Sequence, residues 1–502
     1  MTTDGLKTRL LVGMEVHVEL ATCTKMWTTA PNLAHRDHYD AAPNTLTDPV
    51  VLGMPGVLPV MNRKAVEMAM LVGMALQCRI ARFTKWDRKS YYYPDLPKNY
   101  QISQYDLPLC YDGAIGVPLE DDPEGLGRHI GIIRAHLEED AGKLLHEAPG
   151  GVPIDYSIVD LNRAGTPLLE IVTQPDFDSP EQCVKFGKIL RDICRHLGVS
   201  ECVMQRGHMR FEPNINVVID KDGSEYRTPI VEIKNLNSFK ALHGAVAFEY
   251  RRQVEQWIET GRVQGAGEKS TRGWDDARSI TVLQREKEDA HDYRYFPDPD
   301  LVPLEVDDEW IERLRGQLGE MPLARRHRYL HDLGLNNKDA DALIEQPQLC
   351  RFYEQVLEAG VEPRRASAML LNYGAKRANE RGGPIEQLGI SPRQIRQIVD
   401  LLSAEKISST AAAELFGYCC DSEKPAESLA SECNLLQVSD TGALQGFIDE
   451  VLTEPGNQKI VADIRGGKDK AIGTLVGQVM KRSKGQANPK MVGEMIRKIL
   501  VE

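Results

Sequence analysis

The chain has 502 residues, room at roughly 150 per domain for about three domains with ordinary cores, and its 42% hydrophobic and 27% charged residues describe a folded globular protein. A net charge of −13 excludes a surface coated with cations for nucleic acid, because counterion release needs Lys and Arg facing the phosphates. Ten cysteines without a C-x-x-C pair, and no secretory leader or membrane-length apolar run, predict a cytoplasmic protein with neither disulfide ladder nor zinc knuckle and no membrane partner.

Up to about residue 305, short strands, Pro-rich loops and two or three helices predict an α+β domain rather than a regular βαβ rhythm. Residues 11–20 alternate as a strand, with Met14, Val16, Val18 and Leu20 on one face and Glu15, His17 and Glu19 on the other. The same alternation describes any half-exposed strand with a solvated polar face. Residues 87–106 are dense in Tyr and carry Arg88, Lys89 and Lys98, a mixture able to stack on bases and grip phosphates; tyrosines packed on a core account for it equally well.

Further acids follow. Residues 136–140 place Glu138, Glu139 and Asp140 together, Glu212 sits in a strand whose other face is Ile215, Val217 and Ile219, and Glu232 alternates with Val231 and Ile233. Were these strands to converge, the crowded carboxylates would need a cation, and hard oxygen ligands suit Mg²⁺ carrying nucleotide phosphates. No P-loop or G-x-G-x-x-G is present; the nearest decoy, residues 261–270, has its lysine one place too late and reads as a flexible loop.

From Trp310 strand signals nearly vanish. Residues 310–385 are helical in pattern, Gly382-Gly383-Pro384 makes a linker, and Ser391-Pro392 starts the next helix. Ile472, Leu475, Val476, Val479 and Met480 form one helical stripe; Asn488 and Pro489 then open a last helix expected to bury Met491, Val492, Met495, Ile496 and Ile499. Ten basic residues from Lys459 to Lys498 face four acids, so residues 459–502 carry +6 and the rest of the chain −19. That charge describes either an RNA-binding face or a solvated one.

Several longer motifs then carry a resemblance: G-M-E-V-H-V-E-L at 13–20, G-M-P-G-V-L-P-V-M-N at 53–62, D-R-K-S-Y-Y-Y-P-D-L-P-K-N-Y-Q-I-S-Q at 87–104, H-L-E-E-D-A-G-K at 136–143, D-L-N-R-A-G-T-P-L-L-E-I-V at 160–172, E-I-K-N-L-N-S-F at 232–239, D-Y-R-Y-F-P-D-P-D-L-V-P-L at 292–304 and G-T-L-V-G-Q-V-M-K-R-S-K-G-Q-A-N-P at 473–489. Together they span essentially the whole chain, which resembles the B subunits of bacterial aspartyl/glutamyl-tRNA amidotransferases, the GatB family. The resemblance implies an α+β catalytic cradle over 1–305, an all-α connector over 306–385 and an all-α YqeY-like, tRNA-binding tail over 386–502. It implies ATP- and Mg²⁺-dependent phosphorylation of the side-chain carboxylate of Glu or Asp misacylated on tRNA(Gln) or tRNA(Asn), followed by attack of ammonia. The implied partners are an amidase-type glutaminase and a small third polypeptide, which together with this chain make a heterotrimer.

Carried over by position, Glu15, His17, Glu139, Glu212 and Glu232 match metal-site positions, with Glu15, His17, Glu139 and Lys89 the implied catalytic residues. Lys89 matches a lysine near the phosphates and the ammonia path, and Arg88 is its companion for the nucleotide. In the tail, Lys468, Lys470, Lys481, Arg482 and Lys484 are the expected tRNA contacts. Two departures stand out: the family commonly has Asp where this chain has Glu212, and residues 24–62 lack the C-x-C and C-x-x-C zinc ligands of some members, so no zinc is expected. The alternative from another class is a noncatalytic tRNA-binding assembly scaffold. An archaeal relative with a large synthetase-like insertion does not fit 502 residues.

Overall fold

The alternation seen in residues 11–20 belongs to a 13-residue strand, β1 (Lys7–Glu19), in the middle of a ten-stranded sheet. The computed structural model describes residues 6–119, 129–148, 151–265, 268–285, 293–437, 441–466, 471–483 and 487–500. Across the sheet the order is β15 (Ile280–Arg285), β14 (Ser270–Asp275), β13 (Val231–Lys234), β11 (Met209–Lys221), β1, β10 (Pro167–Thr173), β7 (His129–Glu139), β6 (Cys110–Gly116) and β2 (Arg79–Ile80), with β12 (Ser224–Arg227) folded onto β11. The pairs are antiparallel except β13 with β14, which run parallel. A parallel pair needs a crossover, and helix α3 (Phe239–Thr260) supplies it. Smaller ribbons pair β3 (Phe83–Thr84) with β17 (Leu304–Glu305), β4 (Asp87–Ser90) with β5 (Tyr100–Ser103) and β16 (Phe296–Pro297), and β8 (Lys143–Ala148) with β9 (Val152–Asp160).

One face of the sheet is apolar because alternate residues of each strand are. Leu10, Val12, Met14, Val16 and Val18 of β1 join Phe211, Ile215, Leu169, Ile171, Ala135 and Leu137 in a single core. Helices α1 (Arg63–Ala75) and α2 (Pro180–His196) contribute Val66, Met70, Phe186 and Leu190, and α3 contributes Leu242 and Val246. Each fully buried side chain of this kind contributes roughly 1.5–3 kcal/mol. Caps fix where the helices start: Asn62 accepts from the N–H groups of Lys64 and Ala65, while Ser179 and Ser238 cap α2 and α3. Helix α2 approaches closely at Gly187, where a Cβ would lie 2.9 Å from Phe239 and 3.0 Å from Phe211. The opposite face of the sheet carries the polar alternates.

The chain divides into two compact units, Met1–Arg325 and Arg326–Glu502, and the boundary falls inside the helix Pro322–His331. This two-way division is coarser than the expected boundaries at 305 and 385, and the packing crosses both positions. Helix α4 (Asp308–Arg315) buries Ile311 and Leu314 in the sheet's own core, and a second core runs without a break from Tyr329 to Ala430, across residue 385. The linker Gly382-Gly383-Pro384 is a turn within that second core's shell, with Gly382 at φ +66° closing a helix. Ser391 and Gln394 form a full capping box at the helix Pro392–Ser403.

A third core, from Leu444 to Leu500, belongs to the tail. Its last two helices are Ile472–Arg482 and Pro489–Leu500, the latter capped by Asn488, whose side chain accepts from Lys490 and Met491. Leu475, Val479, Val492 and Ile496 are buried as their spacing predicts. Ile499 is 40% exposed, and Leu500 fills the place expected for it, one residue further round the helix. Among the described residues no helix is long and apolar enough to cross a membrane.

Candidate functional site

The polar face of β1 and its neighbours floors a cleft of about 1210 Å³. Register decides which side chains meet there. Glu15 pairs across to Glu212 on β11, His17 pairs with Glu170 on β10 and Arg210 on β11, and Asn214 pairs with Glu232 on β13. Ligand oxygens of Glu15, Glu212 and Glu232 lie within 4.8 Å of one another, and the ligand atoms of His136, Glu138 and Glu170 form a second group of the same compactness. His17 stands between the groups, with Nε2 3.3 Å from Glu170 and Nδ1 3.9 Å from Glu212. That Nδ1 is buried and has no hydrogen-bond partner.

Such crowding of acids shows in their titration. Burial, then the charges of Glu170, Glu212 and Glu232, raise the Glu15 carboxyl above its ordinary value. Burial alone would lower His17, but its hydrogen bond to Glu170 and the nearby acids outweigh this and raise it. Glu170 is also penalised by burial, yet His136 and His17 hold it down at about 2. Glu138, 3% exposed, accepts from Ser103 Oγ at 2.5 Å and Gln101 Nε2 at 2.8 Å; burial would raise it, but the charge of Lys89, then His136 and the Ser103 bond, hold it well below the usual carboxylate range. Lys89, over the ring of Tyr293 at 5.3 Å, is correspondingly raised, chiefly by Glu138. It therefore remains an ammonium at neutral pH.

Of the residues singled out in the sequence, Glu15, His17, Lys89, Glu212 and Glu232 line the cleft. Glu139 and Arg88 do not. Glu139 is out of phase with His136 on β7, and its carboxylate instead accepts from Lys98 Nζ and from the Ile102 N–H at 3.0 Å. Glu138, one residue earlier, takes the cleft position. Arg88 likewise alternates away from Lys89 on β4; it pairs with Asp298 and Asp300, both at 2.8 Å, and lies 4.3 Å from the ring centre of Tyr100. It braces the 298–300 turn rather than facing the cleft.

Sequence reasoning grouped Glu138 with its neighbours but assigned the site to Glu139, and it gave no site role to His136, Glu170, Arg210 or Lys234. The signal for Glu138 and His136 was parity, since i and i+2 share a strand face; for Glu170 it was a lone acid in the apolar run Leu168–Val172. Arg210 is held by Asp140 at 2.6 Å, which also attracts Arg163 at 3.7 Å. In the tail, Lys481 and Arg482 are exposed, and Arg482 pairs with Glu450 at 3.1 Å and Glu454 at 2.7 Å. Lys468, Lys470 and Lys484 lie outside the described residues.

This donor set fits divalent cations. Three carboxylates offer the hard oxygens that Mg²⁺ takes, and an orphaned imidazole nitrogen beside them awaits a partner. Within residues 24–62, Thr28 donates to Asp48, and Ala30 and Val51 join Ala164 in a small apolar cluster.

Comparison with known proteins agrees with these motifs. Residues 10–312 match the family model described as the GatB/GatE catalytic domain, and residues 351–500 match the one described as the GatB domain. The chain is 42% identical over 487 residues to the B subunit of the aspartyl/glutamyl-tRNA(Asn/Gln) amidotransferase of Carboxydothermus hydrogenoformans, covering 97% of this chain and 98% of that one. It is 43% identical over 491 residues to the protein of the same name from Moorella thermoacetica, covering 98% and 99%, and 43% identical over 486 residues to that of Geobacillus thermodenitrificans, covering 97% and 98%. With a catalytic-domain match over most of its sheet-rich unit and near full-length relatives at this identity, the chain belongs to the family of amidotransferase B subunits.

Proposed function

We propose that the cleft carries out the activating half of a tRNA-dependent amidation: the side-chain carboxylate of Glu or Asp, misacylated on tRNA(Gln) or tRNA(Asn), takes the γ-phosphoryl group of ATP, and ammonia then displaces phosphate to leave the amide. A carboxylate is a poor acyl donor until its leaving oxygen becomes phosphate, so the chemistry needs a place where several negative charges meet and are offset. The observation that supports this reading above others is the pair of ligand groups, Glu15/Glu212/Glu232 and His136/Glu138/Glu170, joined by His17; all of these residues except His136 line one cleft.

Glu15, Glu212 and Glu232 would hold Mg²⁺, with Glu138, Glu170 and His136 as a second seat. The ion would supply charge stabilisation at the transferring phosphoryl oxygens. The chain's own residues do the rest. Lys89, kept protonated by Glu138, offsets phosphate charge rather than acting as a base. Arg210, oriented by Asp140, presents a second fixed cation to the cleft. Tyr91, Tyr92 and Tyr93 line its wall, suited to stacking on a base. Ammonia would come from an amidase-type glutaminase, with a small third polypeptide completing a cytoplasmic heterotrimer, and the basic tail would hold the tRNA.

The test uses the chain co-expressed with those two partners, labelled ATP and misacylated tRNA. Glu15→Gln should fold as the parent does and lose tRNA-dependent ATP cleavage. Retained cleavage would remove the assignment, and absence of cleavage in the parent protein would favour a noncatalytic scaffold.

A further inference from the structure

One ammonium group bridges two carboxylates of the proposed metal site, and a second touches one of them. Lys234 Nζ lies 2.9 Å from Glu212 and 3.2 Å from Glu232, and Lys269 Nζ lies 3.4 Å from Glu232. Parity places Lys234 on the cleft face of β13 beside Glu232, and its side chain is 41% exposed, so it has water to swing into. Thr271, directly across from Glu232 on β14, donates to the same carboxylate at 3.3 Å. Two of the three crowded acids, Glu212 and Glu232, are thus paired within the fold by lysines on flexible four-carbon stems, while Glu15 accepts from Asn214 at 3.3 Å. A divalent ion and an ammonium cannot both sit at contact distance on the same oxygens without strong like-charge repulsion.

Resting on the reading of Glu15, Glu212 and Glu232 as metal ligands, we propose that Lys234 is an internal counter-ion which a divalent cation must displace, and that the displaced ammonium then binds the nucleotide phosphates. Metal and phosphate would therefore load as a coupled pair. The ion alone meets a competitor; once phosphate is present, Lys234 has a second anionic partner in the same cleft and the competition is relieved. By linkage each ligand strengthens the other, and the coupling passes through one side chain. This makes Lys234 a positioning and loading residue, distinct from the carboxylates it pairs with.

The experiment titrates Mn²⁺ into the full chain and reads free Mn²⁺ by electron paramagnetic resonance, with and without a non-hydrolysable ATP analogue. Lys234→Met should tighten Mn²⁺ binding about tenfold without nucleotide, and should reduce the further gain from the analogue to about threefold or less. Lys234→Arg, which keeps the charge, should stay near the parent affinity. Circular dichroism confirms that the variants fold. Unchanged or weaker Mn²⁺ binding in Lys234→Met overturns the proposal. Glu212→Gln separates the two levels: if it weakens Mn²⁺ binding while Lys234→Met leaves it unchanged, the counter-ion role falls and the ligand reading stands; if Mn²⁺ binds but neither variant alters it, the ion uses other ligands and both fall. If Mn²⁺ binds none of the proteins, the metal reading and the proposal fall together.

Discussion

Exchanging the adjacent acids Glu138 and Glu139 one at a time gives the sharpest test of the cleft. Glu138→Gln keeps the shape of a side chain that is 3% exposed but removes the charge that Lys89 and His136 face, and sets an amide against the donors of Ser103 and Gln101. Hydrogen bonds to a charged group contribute roughly 1.5–3 kcal/mol, so loss of one such interaction at the phosphorylation step corresponds to about 10–150-fold. Glu139→Gln keeps an oxygen to accept from the Ile102 N–H and loses only the ion pair with Lys98, outside the cleft. Its phosphorylation rate should stay within about threefold of the parent, the loss of this buried pair registering in stability rather than in that step. Single-turnover cleavage of labelled ATP on misacylated tRNA, with ammonia omitted, isolates that step. A larger loss for Glu139→Gln than for Glu138→Gln would refute the assignment by strand parity.

Gly187→Ala inserts a methyl against Phe211 and Phe239 and should cost about 1–3 kcal/mol, read as a lower urea midpoint; an unchanged midpoint would mean α2 can move. His208 is buried and lowered to about 4 by burial and Arg206, so the unfolded chain binds its proton first as pH falls; stability should drop between about pH 6.5 and 4, and His208→Leu should flatten that slope by up to one proton. Parallel slopes for the two proteins would show that His208 does not contribute. Elemental analysis should find no stoichiometric zinc, since Thr28 and Asp48 bond to each other and Ala30 packs near Val51; one zinc per chain would contradict this. Lys481→Glu should weaken tRNA binding and reduce the dependence of log affinity on log salt by about one, whereas an equal slope would remove the residue from the interface.

Much of the site was legible because strands have a period of two. Glu15 and His17 declared a shared face on their own, and Glu212 and Glu232 each alternated with apolar neighbours. The same rule, applied to residues 136–139, would have chosen Glu138 over Glu139. Arg88 was less accessible, because its acidic partners Asp298 and Asp300 lie about two hundred positions away and nothing local announces them. Lys234 was visible as a residue, but its pairing depends on β11 and β13 being neighbours, which is a matter of topology. Near residue 385 the local signal is ambiguous for another reason: a Gly-Gly-Pro turn resembles a linker whether it joins two domains or two helices of one core.

The central place of β1 also governs how the protein comes into being. It is the first strand synthesised, yet its two neighbours, β10 and β11, begin at residues 167 and 209, and the sheet's far edge is not made until residue 285. At about 5–20 residues per second a ribosome takes roughly ten seconds or more to supply the missing strands. During that interval an apolar ribbon has no mate, so nascent chains should depend on chaperones holding the amino-terminal segment, and slow translation between residues 20 and 209 should increase aggregation rather than prevent it.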